Sequence, residues 1–577
     1  MQVYVTTSAT ATHTMADKFL LSVKKFAGLD QRAGCSSTAE AFPTLTNFRV
    51  NQSGHLEKRG GYGLIYEGVG GKVTQLWNKS GKVFAARRRT AFRLEDEKFV
   101  ALGDADSDVT GFFEFYDRVY ALGGNIYHAD LEYLQPVKGY TPIVATACSP
   151  DGAGTLYEKV NLINPNRRVQ FNGDGKSLVY TLPETNIYLI SDIKINGIHK
   201  SSGFSFHTSS NTVEFEEAPP EGINNVEIKY CVHENSEESA MIYKCRFATV
   251  FENRLFLYGN PDYPNYVFHS ETANGIPSAE YFTPMGYHVF DKPVSSLVSC
   301  YNRLLMFCED CAYYTYSELK TDSLGRTYAS FPLFELNAGK GSLAKGNMPT
   351  CNNEPITLCD DGINRWRSTS IADERTAMPF SERVYKHIAV LKEHKDELVI
   401  INRKARSELW FAVDTGVLIY NYAADCFYYY AIPHVSALCE HGEGVLLGIG
   451  TNIYLHSDSY TDDNGEQIKA EFATPYCTFG APYSLKNLNG AGLSVESGGE
   501  LLGNLRVQRG NLTEEQALSE RFVLPAMEQD GCRLVRCRLH LKRFYSCKLV
   551  FYTYSPKLCI TELCLFGKQL TGFTRNN

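Results

Sequence analysis

The residues whose spacing is most typical of chemistry in this sequence are two cysteines separated by two residues, Cys308 and Cys311. In thioredoxin-like proteins such a pair opens a helix, and the N-terminus of that helix lowers the pKa of the first thiol. Here the pair lies between an apolar run and an aromatic run, both of strand type. A zinc site needs two more ligands, and the spacing of Cys351 and Cys359 is unremarkable. We therefore predict that Cys308 and Cys311 flank a β-hairpin tip.

Three acidic or glycine-containing segments could form ion-binding or phosphate-binding loops. Asp360–Asn364 lacks the alternating ligands and the distal glutamate of a calcium loop, and Asp-Gly is a common hairpin turn. Asn172–Gly175 is not followed by the helix that a phosphate-cradling loop requires. Asp462–Gly465 could ligate a metal, but a solvated linker explains its composition better. The interpretation is two turns and a linker.

The remaining candidate residues form no recognisable catalytic group. There is no nucleophile elbow, and the 14 histidines form no HExxH motif. Paired carboxylates such as Glu216 and Glu217 lie beside a turn, although glycosidase carboxylates need only meet in space. Arg87–Arg89 is interpreted as a solvated turn, and Tyr428–Tyr430 as blade core or a subunit interface. We predict no catalytic residue, no cofactor and no metal, and hence a protein that is not an enzyme.

The composition favours strands over helices. Aromatic residues make up 12% of the 577 residues, with 36 Tyr and 33 Phe, and such side chains suit a pleated, half-buried surface. The 46 glycines supply turns, so an all-β fold is expected. The formal net charge of −8, with both signs interspersed, argues against sequence-specific reading of DNA. It is compatible with a surface past which DNA slides without binding.

The cysteines and the hydropathy pattern indicate where such a chain would be assembled. The 17 cysteines are an odd number without a dense framework, and many lie in apolar runs, so we expect reduced thiols of a protein assembled in a cytoplasm. No stretch reaches the roughly 18 apolar residues of a membrane helix. The first 15 residues lack the basic start and apolar core of a signal peptide. One early helix is predicted, at about Ala16–Ala27.

A degenerate repeat organises much of the chain. The unit is a strand, an Asn-Arg turn, an apolar strand, a short turn and an aromatic strand. It occurs as Phe247–Phe251, Arg254–Tyr258 and Tyr266–Ser270 and again from Ser296 to Tyr316. Short strands are also predicted at Lys82–Arg87 and Arg118–Leu122, and a comparable unit at Ile388–Ile401 with Glu408–Tyr420. About six or seven such units can be counted. Short strands at this spacing are typical of sandwiches, barrels and propellers, and blades must stack before any of them is stable. We predict a β-propeller.

Two segments depart from the repeat. Residues 165–233 alternate apolar and polar positions and end each run in a turn, which predicts a small inserted β-sandwich. The last hundred residues follow a change in composition and predict a C-terminal β-sandwich. The predicted divisions are 1–71 (N-terminal arm and first propeller strands), 72–164 (blades), 165–233 (inserted sandwich), 234–460 (blades) and 461–577 (C-terminal sandwich).

Three phrases in this sequence resemble a known family. The first runs from Lys25–Asp30 through Glu40–Val50 to Leu56–Tyr62, the second is Leu255–Ser270 with its Gly-Asn-Pro turn, and the third is the insertion Phe171–Tyr230. In this order they are similar to bacteriophage tail nozzle proteins, also described as stabilisation or tail-tubular-B-like proteins. Gly60 stands where proline is common in that family.

The resemblance implies a structural subunit of the virion, in the tail or at the head–tail connector. It implies a homo-oligomeric ring, often a hexamer, whose lumen passes genomic DNA transiently and without specific binding. Other tail, adaptor or portal proteins and tail fibres would be its partners, and no membrane insertion is expected. Two alternatives stay open: a glycan- or receptor-binding propeller of the tail tip, and a hydrolase of cell-wall polysaccharide.

Overall fold

The computed structural model describes residues 18–32, 34–36, 40–233, 236–321, 325–368, 375–496, 500–509, 518–524 and 531–570. The protein is all-β, with β-propeller blades, an inserted small β-sandwich and a C-terminal β-sandwich. The chain divides into two compact units: unit 1 comprises residues 1–85, 94–99 and 343–577, and unit 2 comprises 86–93 and 100–342. None of the helices in the described part of the chain is long and apolar enough to cross a membrane.

Seven blades of four strands each lie within these described residues; five of them are separate four-stranded sheets, and blades 4 and 6 belong to larger sheets. Blade 1 has residues in both units, blades 2 to 4 belong to unit 2, and blades 5 to 7 belong to unit 1. Their strands are Val73–Lys79, Lys82–Arg87, Thr90–Glu95 and Lys98–Asp104 (blade 1); Gly111–Phe115, Arg118–Leu122, Ile126–His128 and Gln135–Pro136 (blade 2); Phe247–Phe251, Arg254–Tyr258, Tyr266–Ala273 and Ile276–Val289 (blade 3); Val294–Cys300, Arg303–Cys308, Ala312–Thr315 and Leu333–Asn337 (blade 4); Thr350–Cys351, Glu354–Cys359, Gly362–Ser368 and Arg375–Pro379 (blade 5); Val399–Arg403, Glu408–Val413, Gly416–Asn421 and Cys426–Tyr430 (blade 6); and Val435–His441, Gly444–Ile449, Asn452–Ser457 and Gly61–Tyr66 (blade 7).

The hairpin turns of the blades follow from local sequence. Glu252 and Asn253 both adopt positive φ, 45° and 56°, between two paired strands of blade 3. Two successive positive φ values define the type I′ turn, whose twist matches the strands that it joins and which favours asparagine. Cores then form between successive sheets: in unit 2, Phe113 and Tyr120 of blade 2 belong to the same buried cluster as Leu257 of blade 3.

The inserted sandwich of unit 2 has one sheet of six strands and one of three. The ring of Tyr180 packs edge-on against Phe171 and against Phe215, with ring centroids 5.3 Å apart in each case. The first sheet also takes in Ile143–Cys148, which lies before residue 165. The strands are Ile143–Cys148, Thr155–Leu156, Asn166–Gly173, Gly222–Val232, Ile187–Ile195 and Ile198–His199 in one sheet, and Val179–Thr181, Thr212–Phe215 and Phe204–His207 in the other.

The C-terminal sandwich of unit 1 is completed by strands from the beginning of the chain. Phe48 and Phe472 lie in different sheets, and their ring centroids are 5.9 Å apart. One sheet comprises Cys532–Cys537, Lys486–Glu496, Cys559–Gln569, Leu56–Lys58, Phe48–Val50, Lys18–Val23 and Leu541–Phe544; the other comprises Cys35–Ser36, Tyr476–Cys477, Cys547–Thr553, Ala470–Ala473, Thr44–Thr46, Leu501–Arg509 and Leu518–Leu524 and continues into blade 6.

The remaining elements are short. A two-stranded parallel pair joins Gly28–Leu29 to Ala41–Phe42, and a hairpin joins Glu318–Thr321 to Thr327–Ser330. The strand Gly346–Asn347 and the helical segments complete the described chain. The α-helices are α1 (Ser236–Tyr243) and α2 (Tyr385–Glu393), with 3-10 turns at Glu382–Val384 and Lys404–Arg406.

The predicted early helix is wrong over its described part. Lys18–Val23 is a β-strand in which Phe19, Leu21 and Val23 are buried and alternate with more exposed positions. It pairs antiparallel with the last of the described strands, Cys559–Gln569, with Leu21 opposite Leu565. The run is apolar enough for either structure, and a partner more than 500 residues away decides between them. Ala16 and the segment examined for a signal peptide lie outside the described residues.

The unit predicted from Ile388 to Tyr420 also differs in one element. Its first part is not a strand, because Ile388 lies in the helix α2, where Ile388 and Leu391 are buried. Blade 6 begins only at Val399. Short apolar runs do not distinguish buried helices from strands by periodicity alone, and this one follows the helical spacing.

Candidate functional site

A group of buried charges lies in unit 1, where the first phrase of the family resemblance passes from the C-terminal sandwich to blade 7. Leu56–Lys58 is a sandwich strand, and Gly61–Tyr66 is the fourth strand of blade 7. Gly60 and Gly61 between them leave no room for side chains. A Cβ atom on Gly60 would lie 2.3 Å from the carbonyl oxygen of Ser457, and one on Gly61 would lie 1.8 Å from that of Asp462. Glycine is therefore required where these backbones meet.

Arg59 is the centre of this group. Its side chain is 1% exposed, and Nη1 and Nη2 donate to the two carboxylate oxygens of Asp463 at 2.8 and 2.6 Å. Nε donates to Oδ1 of Asn47 at 2.8 Å, and Nη1 also donates to the carbonyl oxygen of Gly60. Such a bidentate pair is both strong and geometrically specific. Arg59 thus joins the N-terminal arm to the segment that follows blade 7.

A second arginine, Arg49, connects the sandwich to the end of blade 7. Nη2 lies 3.0 Å from Oε2 of Glu57 and 3.0 Å from Oδ2 of Asp458. Asp458 also accepts a hydrogen bond from Arg406, at the 3-10 turn after the first strand of blade 6. One carboxylate therefore holds two guanidinium groups that come from elements far apart in sequence.

The third ion pair lies inside blade 6. Arg403 and Glu408 are direct cross-strand partners, with Nη1 3.5 Å from Oε2, and their side chains are 2% and 3% exposed. Glu408 also accepts hydrogen bonds from Nε1 of Trp410, at 2.9 Å, and from the hydroxyl of Tyr428. The carboxylate is thereby surrounded by donors. We call the set Arg49, Arg59, Arg403, Arg406, Glu57, Glu408, Asp458 and Asp463 the arginine network.

Aromatic rings fill the space between these ion pairs. The guanidinium carbon of Arg59 lies 5.7 Å from the ring centroid of Tyr430, and that of Arg403 lies 5.8 Å from Trp410. The ring of His456 lies 5.3 Å from Trp410 and 5.9 Å from Tyr430. Neither ring nitrogen of His456 has a hydrogen-bond partner. Burial, and next the charge of Arg59, lower the pKa of His456 to about 3, so the imidazole is neutral in the folded protein.

This histidine makes the protein sensitive to mild acid. In the unfolded chain His456 takes up a proton near its usual pKa of 6.5, whereas in the fold it does not until about pH 3. The contribution of His456 to stability is therefore fully present above pH 6.5 and is lost as the pH drops from 6.5 toward 3. Between pH 6.5 and 5 this group alone is expected to cost about 2 kcal/mol. Thermal or urea unfolding at pH 7 and pH 5 should show a smaller loss in His456→Phe than in wild type; equal losses would contradict the assignment.

A cavity of about 310 Å³ opens beside the network. Lys58 lies in its wall, and Nζ donates to the carbonyl oxygen of Ser555 at 2.6 Å. Burial, followed by the charge of Arg59, lowers the pKa of Lys58 to about 8. Glu57 and Asp458 in the same wall are already bound by Arg49. The other lining residues are Arg59, Gly60, Tyr460, Glu496, Pro556, Lys557, Leu558 and Cys559.

The arrangement is suited to holding strands together. Each carboxylate of the network contacts at least one guanidinium, so the charges compensate one another. Removing one partner of a buried ion pair typically costs 3–5 kcal/mol, because the other charge stays buried. The described residues contain no group of three or more His, Cys, Asp or Glu placed to hold a metal ion. This geometry supports a connecting role, in which ion pairs hold neighbouring elements of unit 1 together.

The structure places several sequence-predicted residues as expected. Cys308 and Cys311 flank a hairpin tip in blade 4, where the amide of Cys308 donates to the carbonyl of Cys311. Both thiols are buried, and burial, with the neighbouring Cys311 next, raises the pKa of Cys308 to about 12. Asp360 and Asp361 form the turn between two strands of blade 5. The turn at Asn172–Gly175 is capped by Asp174, which accepts from the amides of Lys176 and Ser177.

Other candidates are also accounted for. The turn at Arg88 and Arg89 joins two strands of blade 1, and Tyr428 and Tyr430 are fully buried in blade 6. Glu216 and Glu217 are exposed at the end of a strand of the inserted sandwich. Of all the sequence-predicted candidates, the structure brings only Asp462–Gly465 and the Tyr428–Tyr430 run to the arginine network.

The interpretation of Asp462–Gly465 as a solvated linker agrees with the exposed Asn464 and Gly465 but is wrong for Asp463. Asp463 carries the bidentate contact to Arg59, and its side chain is 15% exposed. The backbone of Asp463 also forms a parallel bridge with Tyr62. The sequence could not show this, because its acidic, glycine-containing composition is that of an exposed turn. Arg59 and Asp463 lie 404 positions apart, and no local pattern links them.

Comparisons with known proteins do not extend this description. No family model and no curated protein matches the sequence. Among solved structures, one similarity is to PorZ, an essential surface component of the type-IX secretion system of Porphyromonas gingivalis, with 12% identity and a TM-score of 0.33 over 72% of this chain and 43% of that one. The chain thus spans less than half of PorZ. A second is to the Dos1 propeller, with 9% identity and a TM-score of 0.30 over 76% of this chain and 88% of that one.

A third similarity is to apo AztD from Citrobacter koseri, with 8% identity and a TM-score of 0.26 over 65% of this chain and 98% of that one. TM-scores below 0.5 at such identities carry no information about activity, substrate or partner. The description of this chain therefore rests on its own all-β propeller fold.

Proposed function

We propose that this protein is a non-enzymatic structural subunit of a bacteriophage virion, part of the tail or the head–tail connector, and that it assembles into a ring through which DNA passes. Two observations support this function: the family resemblance of the sequence, and the buried ion pairs that connect β-domains within unit 1.

The observation that carries the proposal is the role of the resembling phrase Leu56–Tyr62. Its residues supply a sandwich strand, the buried Arg59 and a blade strand in direct succession. The phrase therefore connects two β-domains of unit 1 through buried ion pairs. A subunit that must keep its shape under the force of packaged DNA benefits from such connections, because sheets joined at several points resist shear.

The experiment is to image the full-length protein by negative stain and to label virions of the encoding phage with antibody against it. We expect rings with a central hole, or label at the tail or the portal vertex, because the proposed interface is between copies and with tail neighbours. Antibody against an unrelated cytoplasmic protein of the host is the matched control. Monomers in solution together with unlabelled virions would refute the proposal.

A second candidate function is the binding of a host glycan, and it is favoured by an aromatic ladder on blade 4. The rings of Tyr314 and Tyr316 both stack on Phe334, with centroids 5.3 and 5.6 Å away. The guanidinium of Arg303 lies 4.4 Å from the ring centroid of Tyr314. Phe334 is 39% exposed. Glycan-array binding that is lost in Phe334→Ala would support this candidate, and an array without signal would remove it.

A further inference from the structure

The segment from Cys532 to Phe544 of the C-terminal sandwich carries exposed basic side chains at alternate positions. From Cys532 to Lys542 every second residue is exposed and the intervening ones are buried. We call the exposed side chains Arg536, Arg538, His540 and Lys542 the basic row. Arg536 lies in the strand Cys532–Cys537 and Lys542 in the strand Leu541–Phe544, and both strands pair with Lys486–Glu496. Arg538 and His540 lie in the connection between these two strands, so the basic row runs from the first strand to the second.

The charges of the basic row lack compensation within the described part of the chain. Residues 531–561 contain seven Lys or Arg and no Asp or Glu, in a chain whose formal net charge is −8. The described residues offer no ion pair to Arg536, Arg538 or Lys542. The arginine network of the same unit shows the opposite arrangement, with every guanidinium contacting a carboxylate. Exposed cations left without acids favour a partner that brings its own negative charge.

The row also stands at the edge of its sheet. The strand Cys532–Cys537 pairs on one side only, with Lys486–Glu496, in the described residues. Basic side chains on an edge strand discourage pairing with another strand while leaving the face open to an anion. Arg543, which follows the row at positive φ, is exposed and adds a further cation beside it.

We propose that the basic row binds the phosphodiester backbone of double-stranded DNA without reading its sequence. Arginine predominates in the row, and its planar guanidinium binds phosphate oxygens in pairs. This inference rests on the proposed function, which brings DNA to the protein, and it adds a surface that contacts the DNA.

The test is fluorescence anisotropy of a labelled 24-base-pair duplex titrated with the full-length protein between 50 and 200 mM salt. Binding through three or four phosphates gives a slope of log K against log salt of about −3, or a roughly 100-fold loss over this range. Two duplexes of unrelated sequence should bind within a factor of two. Arg536→Gln with Arg538→Gln should lower the affinity at least 10-fold and the steepness of the slope by about 2.

The matched control carries the same change in net charge at exposed lysines elsewhere, Lys138→Gln with Lys176→Gln, and should bind as wild type does. Circular dichroism should be unchanged in both variants. Absence of binding at 50 mM salt, or equal loss in both double variants, would overturn the inference. So would a row variant that binds DNA normally but changes the oligomeric state, because the row would then be a protein interface. Rings and tail labelling are measured separately, so the proposed function can stand when this inference fails.

Discussion

Replacement of Arg59 by alanine is expected to lower the free energy of unfolding of unit 1 by about 3–5 kcal/mol. The substitution leaves the Asp463 carboxylate, 15% exposed, without its bidentate partner. It also removes the donors to Asn47 and to the carbonyl of Gly60. The segment after blade 7 would then lose its link to the N-terminal arm, and urea unfolding should shift to a lower midpoint.

The control for this prediction is the same substitution in an exposed ion pair of the same unit. Arg32 contacts Asp30 and Glu382, but its side chain is 48% exposed. Arg32→Ala should therefore cost less than about 1 kcal/mol. Equal destabilisation by Arg59→Ala and Arg32→Ala would show that the Arg59 contacts do not stabilise the fold.

Replacement of Glu408 by alanine is the second large effect, again about 3–5 kcal/mol. Three donors lose their acceptor at once: Arg403, the indole of Trp410 and the hydroxyl of Tyr428. All of them are buried in blade 6, where an unsatisfied polar group keeps its desolvation cost. Because Trp410 is one of only 3 tryptophans, its fluorescence should report the change during unfolding.

Two further variants separate burial from charge in that prediction. Glu471→Ala removes a carboxylate from a partly exposed pair with Lys469 and should have little effect. Replacing Arg403 and Glu408 together by methionine and leucine removes both charges, so it should restore part of the stability that Glu408→Ala loses. If the double variant were less stable than Glu408→Ala, the cost would come from packing and not from an unpaired charge.

Much of the architecture followed from local patterns. The strands predicted at Lys82–Arg87, Arg118–Leu122, Phe247–Phe251 and Arg254–Tyr258 have the bounds that the structure gives them. In these hairpins the apolar runs and the turn residues, such as Asn253, predict the same structure. Local signals of this kind need no distant partner, so the all-β fold and its turns were predictable.

The arginine network was not predictable. Arg49, Arg59 and Asp458 have no spacing that marks them, and their burial depends on contacts across about 400 residues. Lys18–Val23 illustrates the same limit, since its pairing with the final strand converts an apparent helix into a strand. A charged residue in a strand is assigned to the surface unless its partner is known.

The sequence by itself determined the all-β class, the blade hairpins, the inserted sandwich and the absence of a recognisable catalytic motif. Those features depend on residue type and on neighbours within about ten positions. Only the tertiary structure decided which strands of the N-terminal arm complete the C-terminal sandwich, which charges are buried and which lie exposed in the basic row. The physical reason is that burial and charge compensation are properties of groups brought together by folding, and their free energies depend on partners that the linear order does not reveal.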